Sequence, residues 1–168
     1  GEESDLYALG LKRATPLEKA VPVHADDPVI LMYTSGTTGD PKGALLPHRK
    51  ALFNARNAVL NFQTHQEDRV LVVAPLFHSL GLQILTIPLI YAGASLFLQD
   101  RFDPPRVWRA VADQKITYFG GVPAMHQRLF DALKTSAESG FPDLRFIFTA
   151  GSAISTELIR DFATRGII

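Results

Sequence analysis

The sequence predicts an α/β fold with a mainly parallel sheet and crossover helices. Short runs of apolar and β-branched residues alternate with longer stretches in which apolar residues recur at helical spacing. That alternation is typical of strand–helix–strand units, in which each helix returns the chain to the same end of the sheet. The chain has 168 residues, enough for one domain that buries about 70% of its unfolded surface.

The first predicted elements are two strands that form a hairpin. Residues 1–25 contain Pro16, Pro22 and mixed charge, which indicates an irregular lead-in to a domain at 26–168. The apolar run 29–33 predicts a buried strand, and residues 44–46 predict a second short strand before any helix begins. The segment between them is therefore expected to be a hairpin tip and not a strand-to-helix turn.

Helices and strands then alternate to the end of the chain. A helix is predicted at 47–63, with Pro47 in its first turn and a stripe of Leu52, Ala55, Val59 and Phe62 facing the sheet. The four later strands are predicted at Arg69–Val73, Ala94–Leu98, Ile116–Phe119 and Leu144–Phe148. The later helices are predicted at Pro104–Gln114, Val122–Lys134 and Ser155–Thr164, with a buried helix and its flanks at Leu80–Ala94.

Charge and composition exclude several classes of function. Seventeen basic and seventeen acidic residues balance, and there is no long basic run, so electrostatics give no argument for nucleic acid. The absence of cysteine excludes disulfides, thiolate metal sites and a cysteine nucleophile, and points to the cytoplasm. The longest apolar stretch, 80–94, is too short to span a bilayer, and residues 1–4 carry no signal-peptide pattern.

The segment Thr34–Gly43 has the composition of a polyphosphate-binding loop. Its glycines permit close backbone approach to an anion, its hydroxyls add donors and Lys42 adds positive charge. The loop is not a Walker A motif, because Pro41 precedes Lys42 and Gly43 follows it. A turn of this composition without a ligand is the alternative, and the Pro-Lys-Gly ending favours the phosphate loop.

Four segments in the same order resemble the adenylate-forming superfamily. They are Tyr33–Gly43, Pro75–Gly81, Gly121–Ala124 and Thr149–Ile154. The superfamily includes acyl-CoA synthetases, firefly luciferases and the adenylation domains of peptide synthetases. The resemblance covers residues 26–168 and implies a partial AMP-binding domain, truncated before the family's later Tyr-Gly-x-Thr-Glu motif, ribose-binding aspartate and mobile lysine.

The resemblance implies three groups of binding residues and no catalytic or metal-binding residue in this chain. The phosphate-binding group is Thr34, Ser35, Gly36, Thr37, Thr38, Gly39 and Lys42. Phe77 and His78 are expected to border the acyl substrate pocket, although a histidine that caps the next helix is an equal alternative for His78. Ala150, Gly151 and Ser152 are expected beside the adenine and acyl pockets.

The third group departs from the family pattern. Members often have two successive glycines at this turn, and Ala150 replaces the first of them here. A plain strand-to-helix turn capped by Ser152 or Ser155 is the alternative. His24, His65 and His126 have no partners at metal-ligand spacing, so surface or core roles are predicted for them.

The resemblance implies that the parent protein is an acyl-CoA synthetase. It would use ATP and Mg²⁺ to convert a carboxylic acid, expected to be a fatty acid, into an acyl-adenylate and transfer the acyl group to CoA. His78 follows Phe77 where amino-acid-activating domains usually have Asp, which favours CoA ligation. A nucleotide-binding or interaction module without activity, and an adenylating enzyme that uses a carrier-protein thiol, are the alternatives. The 168-residue chain alone is expected to be inactive.

Overall fold

The computed structural model describes residue 10 and residues 12–15, 19–34, 40–135 and 140–168. Its first two strands, β1 (Pro28–Thr34) and β2 (Lys42–Pro47), pair antiparallel as a separate two-stranded sheet. Thr34 lies opposite Lys42 in the register, so the chain between these residues joins the two strand ends. The predicted hairpin is confirmed.

The helix α1 (His48–Phe62) follows β2 directly and packs against the helices of the next connection. Its most buried residues are Ala55 and Ala58, at 1% and 9% exposure, whereas Leu52 is 47% exposed. The prediction that Leu52 faces the sheet was wrong. Ala55 of the predicted stripe is buried, together with Ala58, because small side chains allow the neighbouring helix to approach closely.

Four parallel strands form the main sheet, as predicted. They are β3 (Arg69–Val72), β4 (Ser95–Leu98), β5 (Tyr118–Gly121) and β6 (Phe146–Thr149). Their order across the sheet is β4-β3-β5-β6, with parallel pairing throughout.

The remaining helices connect these strands. They are a π-helical segment (Leu80–Thr86), α2 (Ile87–Ala92), α3 (Pro104–Asp113), α4 (Pro123–Thr135) and α5 (Thr156–Thr164). The bounds of α3, α4 and α5 agree with the predicted helices to within one or two residues. The stretch 80–94, predicted as one buried helix, is instead a π-helical segment followed by a short α-helix.

The sheet is covered on both faces, because alternate residues of a strand point to opposite sides. Leu71 and Phe119 pack into one core with α3, α4 and α5, and Val70 and Tyr118 pack into the other with α2 and the π-helical segment. Trp108 lies in the first core, where its Nε1 donates a 2.9 Å hydrogen bond to the Leu129 carbonyl. No helix in the described ranges is long and apolar enough to cross a membrane.

The residues before the amino ends of the strands form a buried polar network. Asp68, only 4% exposed, accepts hydrogen bonds from Arg145 at 2.7 and 2.9 Å and from Thr117 Oγ1 at 2.7 Å. Arg145 also donates to the carbonyls of Phe62 and Gln63 at the end of α1. The network therefore links the starts of β3, β5 and β6 to the end of α1.

Candidate functional site

The carboxyl ends of the parallel strands form the edge of the sheet where ligands are expected. In the order β4-β3-β5-β6, the connection from β3 leads to its neighbour at one end of the sheet. The connection from β5 leads to its neighbour at the other end. The two connections therefore diverge between β3 and β5, and open α/β sheets bind ligands at such a switch point. The segments 75–81, 121–124 and 149–154, which the sequence singled out, all begin at this edge.

A cavity of about 570 Å³ opens at the ends of β3 and β4. It is lined by Val73–Phe77 after β3, Leu98–Phe102 after β4 and Met125 of α4. Phe77 is 73% exposed and forms part of the wall. Most of the wall is apolar, and Asp100 and Arg101 add charge on the β4 side.

His78 lies beside this cavity and does not line it. Its ring contacts the Phe77 ring with centroids 4.6 Å apart. Its backbone carbonyl accepts a 3.1 Å hydrogen bond from the Leu82 amide, so the π-helical segment begins against His78. The exposed His78 ring therefore lies against Phe77, and its contact with a substrate stays a prediction.

A glycine is required at position 81 because the backbone of the loop after β3 passes very close to it. A Cβ at Gly81 would lie 2.4 Å from the Pro75 carbonyl oxygen and 2.6 Å from the Ala74 carbonyl oxygen. Both atoms belong to the backbone, so no side-chain movement could relieve the clash. The glycine thus allows the loop that carries Phe77 to lie directly on the π-helical segment.

The turn after β6 is tied to the end of β5. The Ala150 amide donates a 3.0 Å hydrogen bond to the Gly121 carbonyl, and Gly151 has a left-handed φ of +93°. Ser155 caps α5 by accepting a hydrogen bond from the Leu158 amide, so of the two predicted caps it is Ser155 that acts. Ser152 is exposed, and the nucleotide contacts expected of Ala150, Gly151 and Ser152 stay predictions.

The predicted phosphate loop lies only partly within the described residues. Thr34 ends β1 and Lys42 begins β2 with an exposed side chain, and Ser35, Gly36, Thr37, Thr38 and Gly39 lie outside the described residues. The strand ends that flank the loop are therefore placed, and its phosphate contacts stay predictions.

His126 is a core residue, in agreement with the sequence prediction. It is 1% exposed, its Nε2 lies 3.0 Å from the Phe148 carbonyl oxygen, and burial lowers its pKa below the ordinary 6.5. The described residues contain no group of three or more His, Cys, Asp or Glu side chains that could hold a metal ion.

The sequence interpretation missed the β4 side of the cavity. Gln99 and Arg101 follow β4 as Phe77 follows β3, and the rule that ligands gather beyond parallel strand ends would have indicated them. The Gln99 Oε1 atom is buried and has no hydrogen-bond partner in the described part of the chain. This residue of the cavity wall thus holds a buried acceptor that the described residues leave unsatisfied.

The fold and this edge define an α/β domain with a cavity where two of its parallel strands end. The chain belongs to the AMP-binding enzyme family, whose model matches residues 2–168. It is 35% identical over 147 residues to a feruloyl-CoA synthase of an Amycolatopsis species and 30% identical over 164 residues to a long-chain-fatty-acid–CoA ligase of Mycobacterium tuberculosis. These alignments cover 88% and 98% of the chain but only 30% and 32% of those proteins.

A solved structure gives the same fold. The inhibitor-bound N-terminal domain of FACL13 from Mycobacterium tuberculosis is 31% identical, with a TM-score of 0.85. The match covers 97% of this chain and 40% of that one. Both the resemblance to acid–thiol ligases and the parallel sheet predicted from the sequence are confirmed.

Proposed function

We propose that this chain is one part of an ATP-dependent acid–thiol ligase. The enzyme joins a carboxylic acid to AMP with release of pyrophosphate, and then transfers the acyl group to the thiol of CoA with release of AMP. The observation that carries the proposal is the hairpin, whose strand ends at Thr34 and Lys42 bracket the phosphate-loop sequence. Membership of the AMP-binding enzyme family and the similarity to CoA ligases support it.

In this proposal the hairpin loop holds the triphosphate of ATP. Charge builds on the phosphates when a carboxylate oxygen attacks the α-phosphorus, and amide, hydroxyl and ammonium donors stabilise that charge. The proposed donors are Thr34, Ser35, Gly36, Thr37, Thr38, Gly39 and Lys42. Lys42 acts as a positioning cation and not as a nucleophile, so it forms no covalent bond to the substrate.

The carboxyl edge receives the acid and the nucleobase. Phe77 offers an exposed ring to an acyl chain or aromatic acid, and the His78 ring lies against it. Ala150, Gly151 and Ser152 offer a turn of small residues on which a flat adenine ring can lie closely. The relatives act on a feruloyl group and on long fatty chains, so the acid is proposed here only as a carboxylic acid with an apolar body.

Magnesium is not assigned to these residues. The described side chains include no suitable cluster of carboxylates and histidines, so the ion would be held by ATP and by groups elsewhere. The chain spans about a third of its curated relatives, and groups that act as a unit lose most of their effect when parts are missing. We therefore propose that the 168-residue chain alone does not catalyse formation of acyl-CoA.

The proposal is tested by measuring pyrophosphate release by the whole enzyme in the wild type and in the Lys42→Ala variant. Removing a charge-assisted phosphate contact worth roughly 1.5–3 kcal/mol should lower kcat/KM for ATP about ten- to a hundredfold in Lys42→Ala. Lys42→Arg should recover part of the loss, and Lys19→Ala, at an exposed position outside the helices and strands, should leave kcat/KM unchanged.

Three results would contradict the proposal. Wild-type enzyme that releases no pyrophosphate with any aromatic or fatty acid would remove the ligase activity. ATP kinetics unchanged in Lys42→Ala would remove Lys42 from the site. Turnover by the purified 168-residue chain would show that the other parts are dispensable.

A further inference from the structure

Gln83 is a buried polar residue in an otherwise apolar connection. It lies in the middle of the π-helical segment and is only 6% exposed, and Leu85 of the same segment belongs to the second core of the sheet. A buried amide must find hydrogen-bond partners, because its loss of water is costly otherwise. The partners that Gln83 finds belong to two other elements.

The first partner is in the hairpin. Gln83 Nε2 lies 3.6 Å from the sulfur of Met32, in the middle of β1, as a donor to a weak acceptor. The hairpin is separate from the main sheet, and large side chains such as Tyr33 and Leu45 are 64% and 65% exposed. Its position relative to the carboxyl edge therefore depends on local contacts of this kind.

The second partner is α1. Lys50 Nζ lies 3.4 Å from Gln83 Oε1, and Asn54 Nδ2 donates a 2.7 Å hydrogen bond to the Gln83 backbone carbonyl. Since α1 follows β2 directly, both strands of the hairpin are joined to this one residue, β1 by its side chain and β2 through α1.

The element that carries Gln83 also holds the wall of the cavity. The π-helical segment begins against the His78 carbonyl, and Gly81 supports the backbone of the loop that carries Phe77. Thr86 Oγ1 donates a 2.7 Å hydrogen bond to the Gly81 carbonyl, which ties the two ends of this segment together. The segment thus contacts β1, whose end carries the phosphate loop, and the loop that carries Phe77; these two regions are the proposed half-sites.

We propose that Gln83 is a positioning residue that fixes the phosphate-loop hairpin relative to the acid-binding wall at Phe77 and His78. The inference rests on the proposed function, because it needs both half-sites. The carboxylate must reach the α-phosphorus in line, and small misplacements of reacting groups lower the rate strongly. Gln83 itself contacts neither substrate.

The test compares Gln83→Met with the matched control Gln127→Met, at an exposed position of α4, in the whole enzyme. Gln83→Met keeps the size of the side chain and removes both side-chain hydrogen bonds. We expect kcat for pyrophosphate release to fall about tenfold, while the KM values for ATP and acid change less than threefold. Gln83→Glu keeps an acceptor facing Lys50 and should recover part of the rate.

Met32→Leu provides a second approach that does not depend on the folding of the Gln83 variants. It removes the sulfur acceptor and should lower kcat about threefold, and its effect should not add to that of Gln83→Met. A kcat for Gln83→Met within twofold of the wild-type value would overturn the inference, as would strictly additive effects of the two substitutions. Inactive wild-type enzyme would instead contradict the proposed function, so the two failures are distinguishable.

Discussion

The two edges of the main sheet are built on different principles. At the amino edge, Asp68, Thr117 and Arg145 satisfy one another in a buried network. At the carboxyl edge, the Gln99 Oε1 atom is buried without a partner, and Phe77 exposes an aromatic ring. An exposed apolar group is where a ligand can add contacts, and a buried acceptor without a partner does not hold the strands together. One edge thus holds the strands together, and the other exposes apolar surface beside a cavity.

Breaking the amino edge should have the largest effect on stability. Arg145→Met leaves the Asp68 carboxylate buried without its cation, and we expect the free energy of unfolding to fall by about 3 kcal/mol. Arg106→Met is the matched control, because it removes an arginine–aspartate pair whose side chains are 48% and 73% exposed. The control should cost about 0.5 kcal/mol or less.

Urea denaturation of both variants measures the difference. Equal losses in the two variants would mean that the amino edge is no more stabilising than a surface ion pair. Substrate preference should stay as in the wild type in Arg145→Met, since the network lies at the opposite edge from the cavity.

Changing the carboxyl edge should alter substrate selection as well as stability. In Gly81→Ala the new Cβ meets the backbone of Pro75 and Ala74, so the loop carrying Phe77 must move. We expect a loss of stability of about 2 kcal/mol together with an altered ranking of acids by size, measured as kcat/KM across an acid panel. Gly10→Ala, where a Cβ would meet nothing within 4 Å, should change neither quantity. An unchanged acid ranking in Gly81→Ala would separate this loop from substrate selection.

The smallest expected effect is the pH dependence that Asp68 gives to the amino edge. Burial alone would raise the pKa of Asp68, but hydrogen bonds from Thr117, the His65 amide and Arg145 outweigh it and lower the pKa below 3.8. A carboxyl whose pKa is lowered by folding stabilises the protein above its unfolded pKa, about 3.9, and this contribution is lost as the pH falls through the folded value.

Unfolding curves at a series of pH values from about 6 to about 3 test this direction of the change in stability with pH. The stability difference between wild type and Asp68→Asn should be constant above about pH 5 and shrink below about pH 4. A difference that grew on acidification would show that the pKa of Asp68 is raised.

Local patterns were enough to predict the elements and their type. Apolar runs located all four strands of the parallel sheet, and the hairpin followed from Ala44 continuing as a strand after the loop. The strand order β4-β3-β5-β6 was not predictable, because no local pattern says which strands become neighbours. The pairing of Asp68 with Arg145 was not predictable for the same reason, since 77 positions separate them.

The candidate site was predicted to a similar extent. The positions of Phe77 and Gly151 at the carboxyl edge follow from the rule for strand ends, and the structure places them there. The π-helical segment was missed because its form depends on the loop backbone lying on Gly81 and on the Thr86 hydroxyl, which are tertiary contacts. The role inferred for Gln83 was also not predictable from the sequence. It depends on contacts with Met32 and Lys50, which lie 51 and 33 positions away along the chain.

The packing of Trp108 gives the molecule a built-in optical reporter. It is the single tryptophan of the chain, it is 1% exposed, and its ring stacks on Phe141 with centroids 4.8 Å apart. Emission excited selectively from tryptophan therefore comes from one place, the contact of α3 with α4, where an apolar surrounding shifts the spectrum toward the blue. Because this place lies in the core and away from the hairpin, the signal reports the integrity of the sheet's α3, α4 and α5 face independently of events at the phosphate loop.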